Sequence, residues 1–125
     1  MTDKAVKTIH IKEEDFFQQI LDLAHIFGWR VAHFRPARTK NGWRTAVAGD
    51  GAGFPDVVMV KSPRLIFAEL KSEKGKLTPE QEEWLDGLGS CGDAVRQLGH
   101  LVDKEGVEVY LWRPSDLDNI IDILR

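Results

Sequence analysis

Apolar side chains recur at Phe16, Ile20, Leu23, Ala24 and Phe27 in the segment EEDFFQQILDLAHIF. That spacing predicts an amphipathic helix over residues 13–27, and Gly28 supplies its stop. The pattern then shortens to a period of two. Over residues 29–34, Trp29, Val31 and His33 share one face of a predicted strand, and Arg30, Ala32 and Phe34 share the other. Residues 35–54 carry no sustained period, so the segment is expected to be a loop, briefly extended at 45–47; a run of this length in a small domain is usually functional or mobile. DVVMV and LIFAELK, at 56–60 and 65–71, read as two buried strands of a hairpin joined by the turn-like Lys61-Ser62-Pro63-Arg64. Thr78-Pro79-Glu80-Gln81 starts a helix that carries Trp84, Leu85 and Leu88. Thr78 is the cap, proline takes the first helical position, and Gln81 completes a capping box. A second helical piece is expected over 93–101, a strand over 107–112, and a last helix opened by Ser115-Asp116 with Ile120, Ile121 and Leu124 inside. The order α-β-β-β-α-β-α makes one mixed α/β domain, without repeats or low-complexity tracts.

Composition changes this picture little. At 42% apolar and 30% charged over 125 residues, the chain suits one globular domain with one core. No apolar run is long enough to span a bilayer, and MTDKAVKTIHIKEED lacks the apolar segment of a secretory signal. The single cysteine, Cys91, cannot form an internal disulfide, so a reducing cytoplasm is the expected location. Cys91 is read as inert, because nothing marks a partner histidine. His10, His25, His33 and His100 show no zinc spacing, and His33 is read as structural.

Charge changes it more. The net charge of -3 is unpromising for a nucleic-acid binder, but the distribution is uneven. Arg30, Arg35, Arg38, Lys40 and Arg44 occupy a stretch without an acid, and Lys61, Arg64, Lys71, Lys74 and Lys76 follow. Arg35, Arg38, Lys40 and Arg44 are candidate contacts to a DNA backbone. Trp43 is a candidate for stacking or wedging, weighed equally with plain packing. Trp29, Trp84 and Trp112 sit in regular elements and are expected in the core. Gly49-Asp50-Gly51-Ala52-Gly53 is read as a flexible loop facing the substrate; without GxxxxGK[ST] it is no nucleotide cradle.

Chemistry converges on one spot. Pro55-Asp56 ends the basic stretch, and Glu69-Leu70-Lys71 ends the second hairpin strand. Alternation sends Glu69 and Lys71 to one side with Leu70 in the core, and antiparallel pairing brings Asp56 alongside. Two carboxylates suit Mg²⁺ or Mn²⁺, which take oxygen ligands, water and a substrate phosphate. Such an ion polarises a phosphoryl oxygen and stabilises a leaving oxygen. Lys71 would orient or deprotonate the attacking water, or neutralise charge on the phosphate. Taken singly, Asp56 reads as a turn residue and Glu-x-Lys as a solvated pair; their combination across two apolar strands is what favours chemistry.

Pro55-Asp56 with Glu69-Leu70-Lys71 resembles the PD-(D/E)XK motif of restriction-endonuclease-like nucleases. GDGAGFPDVVMVKSPRLIFAELKSEKGKLTPEQEEWLDGL followed by VEVYLWRPSD is similar to the VRR-NUC branch, over residues 13–124. The resemblance implies an αβββαβ core, a small mixed sheet flanked by helices. It implies a metal held by Asp56, Glu69 and the main-chain carbonyl of Leu70. It also implies a supporting acid on the first helix, Glu13 or else Glu14, both also read as first-turn acids favoured by the helix dipole. Gln81 takes the position of the family's glutamine, its capping role weighed equally. Residues 1–125 would form one such domain, with 1–12 as a lead-in and 35–53 as the basic substrate-facing loop. GSCGDAVRQLGHLVDKEG departs from the pattern by its length.

The expected activity is metal-dependent hydrolysis of DNA phosphodiester bonds in the cytoplasm, bacterial or of a phage host. Stand-alone relatives resemble Holliday-junction resolvases, which implies branched DNA and a homodimer. Nicking or flap-type cleavage is the nearest alternative. A non-catalytic DNA-binding module would be expected to lack one of the three motif residues. A metal-free interaction protein would have no use for the basic stretch leading into Asp56.

Overall fold

The computed structural model describes residues 12–34, 48–91 and 106–125, and the backbone of 37–39 and 42–44. Helix α1 (Glu13–Ile26) leads into strand β1 (Arg30–His33), then β2 (Ala37–Thr39) and β3 (Gly42–Arg44). Strands β4 (Val57–Lys61) and β5 (Arg64–Leu70) precede helix α2 (Pro79–Gly89) and strand β6 (Gly106–Trp112). A 3₁₀ turn at Pro114–Asp116 opens helix α3 (Leu117–Leu124). The expected piece at 93–101 and the extended stretch at 45–47 lie outside the described residues, as do Arg35, Lys40 and residues 92–105 of the long segment that departs from the family pattern.

Gly28 ends α1 as its position suggested. With φ at +87° it donates its N–H to His25 O, and Trp29 donates to Ala24 O at 2.9 Å. These are the paired bonds of a Schellman motif, which needs a left-handed residue at this position. At the other helix, Thr78 and Gln81 form the capping box, Gln81 N donating to Thr78 Oγ1 at 3.1 Å and Thr78 N to Gln81 Oε1 at 2.9 Å.

The main sheet runs β1-β4-β5-β6. β4 pairs antiparallel with β1 and β5, whereas β6 pairs parallel with β5. A parallel neighbour needs a long crossover, and α2 lies in that connection. One sheet face carries Val57, Met59, Ile66, Ala68 and Leu70 against Phe16, Ile20 and Ala24 of α1 and Ile120 and Leu124 of α3. α2 packs beside β6 and buries Leu85. The fold is thus a small mixed α/β sheet with helices, consistent with a restriction-endonuclease-like core. Among the described residues no helix is long and apolar enough to cross a membrane.

Three expectations need correction. Residues 35–54 are not a continuous loop: β2 and β3 form an antiparallel ribbon in the register Arg38↔Trp43 and Thr39↔Gly42. Lys40-Asn41 stands between them in the sequence, and Gly42 opens β3. Trp84 is half-buried rather than core, its indole N–H donating to Asp50 O at 3.0 Å. Arg64 is not part of a free basic surface. It donates two bonds of 2.8 Å to the buried Glu108, which also accepts the Tyr110 hydroxyl, and its guanidinium lies 4.9 Å from the Trp29 ring. Burial and the Glu108 charge push the Tyr110 phenol above its ordinary value.

Candidate active site

Register brings the motif together. Val57 pairs with Ala68, so Asp56 stands opposite Glu69 where the hairpin ends. The Asp56 carboxylate accepts the Leu70 N–H at 2.9 Å, and its own carbonyl accepts the Phe34 N–H at 2.9 Å. Asp56 is thereby tied to β5 on one side and to the end of β1 on the other. Glu69 is 2% exposed, on the face opposite Leu70, and shares that face with Lys71.

A cavity of about 520 Å³ opens here, lined by Asp56, Glu69, Leu70, Lys71 and Gln81. Glu13 and Glu14, from the first turn of α1, also line it. The Glu13 charge acts on Asp56, raising its pKa. Gln81 does two things with one amide: its oxygen closes the capping box, and its Nε2 donates to Glu69 Oε2 at 3.0 Å. The capping and site readings of Gln81 therefore do not compete.

The electrostatics are those of two acids crowded together. Burial raises both carboxyls above their ordinary values; for Asp56 the Leu70 N–H and Lys71 work against it. Glu69 is pushed up to about 8, first by burial and then by the adjacent Asp56 charge, with Lys71 opposing. Glu69 Oε1 is buried and, among the described residues, has no hydrogen-bond partner. An orphaned carboxylate oxygen beside a second carboxylate is a demand for a cation or a proton. Asp56, Glu69 and the Leu70 carbonyl therefore fit a hard divalent ion. Among the described residues no group of three or more His, Cys, Asp or Glu side chains is arranged for a metal.

The comparisons fall on these residues. The model of the VRR-NUC domain matches residues 10–99, which include Glu13, Asp56, Glu69, Lys71 and Gln81. The chain belongs to the VRR-NUC family. This is a nuclease family of the PD-(D/E)XK fold, with DNA as substrate, and nucleases of this kind generally use divalent metals. A search of curated proteins returned no match. The VRR-NUC match stops before β6.

Several site-forming residues escaped the sequence reading. Gly53, at φ +83°, lies so close to α2 that a Cβ there would meet Glu80 C at 2.6 Å and Gln81 N at 2.7 Å. The glycine-rich segment is therefore pinned rather than flexible. Gly51 is buried with its carbonyl accepting from Phe54, and Trp84 holds Asp50. This close packing fixes Pro55-Asp56 against the helix turn that bears Gln81. The run GAGFPD carried the signal, since only glycine tolerates both the conformation and the approach.

Arg113 is a second residue that the sequence pattern does not mark. Its Nη1 donates to Ser72 O at 2.6 Å, Gly75 O at 2.7 Å and Glu73 O at 3.2 Å. Ser115 N donates to Glu73 Oε2 at 2.6 Å. The turn after Lys71 is thus stapled to the end of β6, and a Cβ on Gly75 would come within 3.4 Å of Lys71 Cδ. Nothing in the local pattern announces a clamp 38 to 41 residues away.

Of the candidate DNA contacts, only the backbone of Arg38, Trp43 and Arg44 is described, in the β2–β3 ribbon. His33 is exposed and meets the Phe17 ring edge-on, as a structural histidine would. Cys91 is exposed, its Sγ donating to Gly87 O at 3.4 Å.

Proposed function

We propose that this VRR-NUC domain is a divalent-metal-dependent endonuclease that hydrolyses DNA phosphodiester bonds. The observation that carries it is the Glu69 carboxylate, buried beside Asp56 with one oxygen unpartnered. Asp56, Glu69 and the Leu70 carbonyl would hold Mg²⁺ or Mn²⁺, which when bound supplies Lewis-acid activation of the phosphodiester. Asp56 is kept in place by the Leu70 N–H, and Gln81 orients Glu69 through its Nε2. Lys71 shares the cavity and supplies the positive charge that offsets negative charge gathering on the phosphate, or a nitrogen to orient the attacking water. Glu13 adds a carboxylate to the same cavity, where it would hold a water of the ion's shell.

Positive charge for the flanking DNA would come from the basic segment that includes Arg35, Arg38, Lys40 and Arg44, with Trp43 beside them. The finer reading is structure-selective cleavage by a homodimer, in the manner of junction resolvases. A domain of this size spans little more than one arm of a four-way junction, and two copies would present two sites. Nicking or flap cleavage remains the alternative product pattern.

Junction, flap, nicked and linear DNA incubated with Mg²⁺, Mn²⁺ or EDTA test this, with Glu69→Ala as the control. Cleavage is expected only with metal and only with Glu69 present. Cutting in EDTA, or full activity in Glu69→Ala, would sink the mechanism. Binding without cutting on every substrate would point instead to a non-catalytic module.

A further inference from the structure

The cavity has a wall that phosphodiester hydrolysis does not call for. Besides the carboxylates and Lys71, two aromatic residues line it, Phe17 and Phe34. Phe17 is buried in the core, but Phe34 is 36% exposed, among the few large apolar side chains presented to solvent. Its place is rigidly set. The Phe34 N–H donates to the carbonyl of Asp56 at 2.9 Å, so Phe34 stands directly across from the proposed metal ligand. Phe54 meets the ring edge-on at 5.4 Å, and Phe54 is itself braced by Phe67 at 6.1 Å and Trp84 at 4.9 Å.

The carboxylates and Lys71 suit a metal, its waters and a phosphate, none of which needs an aromatic ring, in a space of about 520 Å³. A nucleotide calls for both kinds of lining, being an anionic group joined through a sugar to a flat ring. We propose that Phe34 is a stacking platform for the nucleobase next to the scissile phosphate, and that the enzyme favours DNA whose base at that position is unpaired. This rests on the metal-dependent reading above and names the substrate class for it. In a paired duplex both faces of each base are covered by neighbours, leaving no free face for Phe34. Extruding a base costs free energy, least where the base is already unpaired. Stacking on a fixed ring is indifferent to sequence, because every base has a π face. The selectivity expected is therefore for structure rather than sequence, and it arises within one protomer. The β2–β3 ribbon, with Arg38 and Arg44 in its sequence, begins three residues after Phe34.

The test compares a duplex carrying one unpaired 2-aminopurine with the fully paired duplex of the same sequence, at equilibrium in EDTA and in Ca²⁺, so that binding is read without turnover. The wild-type protein is expected to bind the unpaired form about tenfold more tightly, equivalent to ~1.4 kcal/mol. That lies at the low end of the range for a base on an aromatic ring. The 2-aminopurine fluorescence should be quenched on binding. Phe34→Ala should bring the two affinities within about twofold and abolish the quench, whereas Phe34→Tyr should keep both. If Phe34→Ala does not fold, Phe34→Leu, which keeps the bulk without the π face, carries the same expectation. Equal wild-type affinities, or discrimination that survives Phe34→Ala and Phe34→Leu, overturn the proposal. Discrimination without cleavage of either DNA in Mg²⁺ or Mn²⁺ would defeat the metal-dependent reading and leave the stacking platform standing. Cleavage of both DNAs without discrimination would do the reverse.

Discussion

Replacing Glu69 by glutamine removes one charge from the buried pair while keeping the shape and an oxygen for Gln81. In the metal-free protein the Glu69 carboxyl is raised from an ordinary 4.5 to about 8, by burial first and by Asp56 second. A carboxyl whose pKa is raised on folding binds a proton more tightly in the folded state than in the unfolded chain. Between about pH 4.5 and 8 the folded state therefore holds more protons, and stability falls as pH rises through that window. The interval from 4.5 to about 8, at ~1.4 kcal/mol per pH unit, bounds the effect at about 5 kcal/mol. Water in the open cavity screens the charge, and ~2–3 kcal/mol is the working expectation. Urea unfolding in EDTA from pH 5 to 9 reads it directly. Wild type should lose stability relative to Glu69→Gln as pH rises and level off above about pH 8, leaving the glutamine variant the more stable protein. Saturating Mg²⁺ or Mn²⁺ should restore the wild type and leave Glu69→Gln unchanged, because an ion that binds only the folded state stabilises it by mass action. A difference between the two proteins that stays flat from pH 5 to 9 would refute the picture of a carboxylate forced together with Asp56.

Other perturbations separate scaffold from site. Gly53→Ala should destabilise the protein by ~2 kcal/mol or more by urea titration and lower cleavage as well, since the new Cβ must push α2 and Gln81 away. Gly28→Ala, with open space around its Cβ, should cost only about 1 kcal/mol and spare activity. Arg64→Ala leaves Glu108 buried without its cation, for a loss of ~3 kcal/mol in stability, while kcat of the protein that remains folded should be unchanged. Arg113→Ala should lower kcat roughly 10–100-fold with little change in KM, by releasing the turn behind Lys71. In a Lys71→Ala background the Arg113 substitution should add almost nothing further, and a fully additive loss would show that Arg113 does not act through Lys71.

Much of this molecule was legible in its residues because the signals are local. Helical spacing from Phe16 to Phe27, alternation in DVVMV and LIFAELK, and the box from Thr78 to Gln81 each involve neighbours within a turn or a hairpin. Strand alternation alone put Glu69 and Lys71 on one side, and a short hairpin left Asp56 little choice but to stand across from Glu69. The pairing of β2 with β3 was not legible, because two three-residue strands carry too few alternating positions to outweigh a glycine- and lysine-rich surrounding.

Tertiary structure decided what depends on distance. Whether Arg64 is a free charge or half of a buried pair turns on Glu108, 44 residues away and brought close only by the parallel pairing of β5 with β6. Whether GDGAG is a loose loop or a pinned one turns on the face of α2, and the grip on the turn behind Lys71 turns on Arg113. The raised carboxyls of Asp56 and Glu69 likewise follow from burial that no residue pattern states. The sequence by itself determined the motif residues of the proposed site and the strands that bear them; their separation from water, their partners and the aromatic residues beside them were set by packing, because those energies come from contacts between segments far apart in the chain.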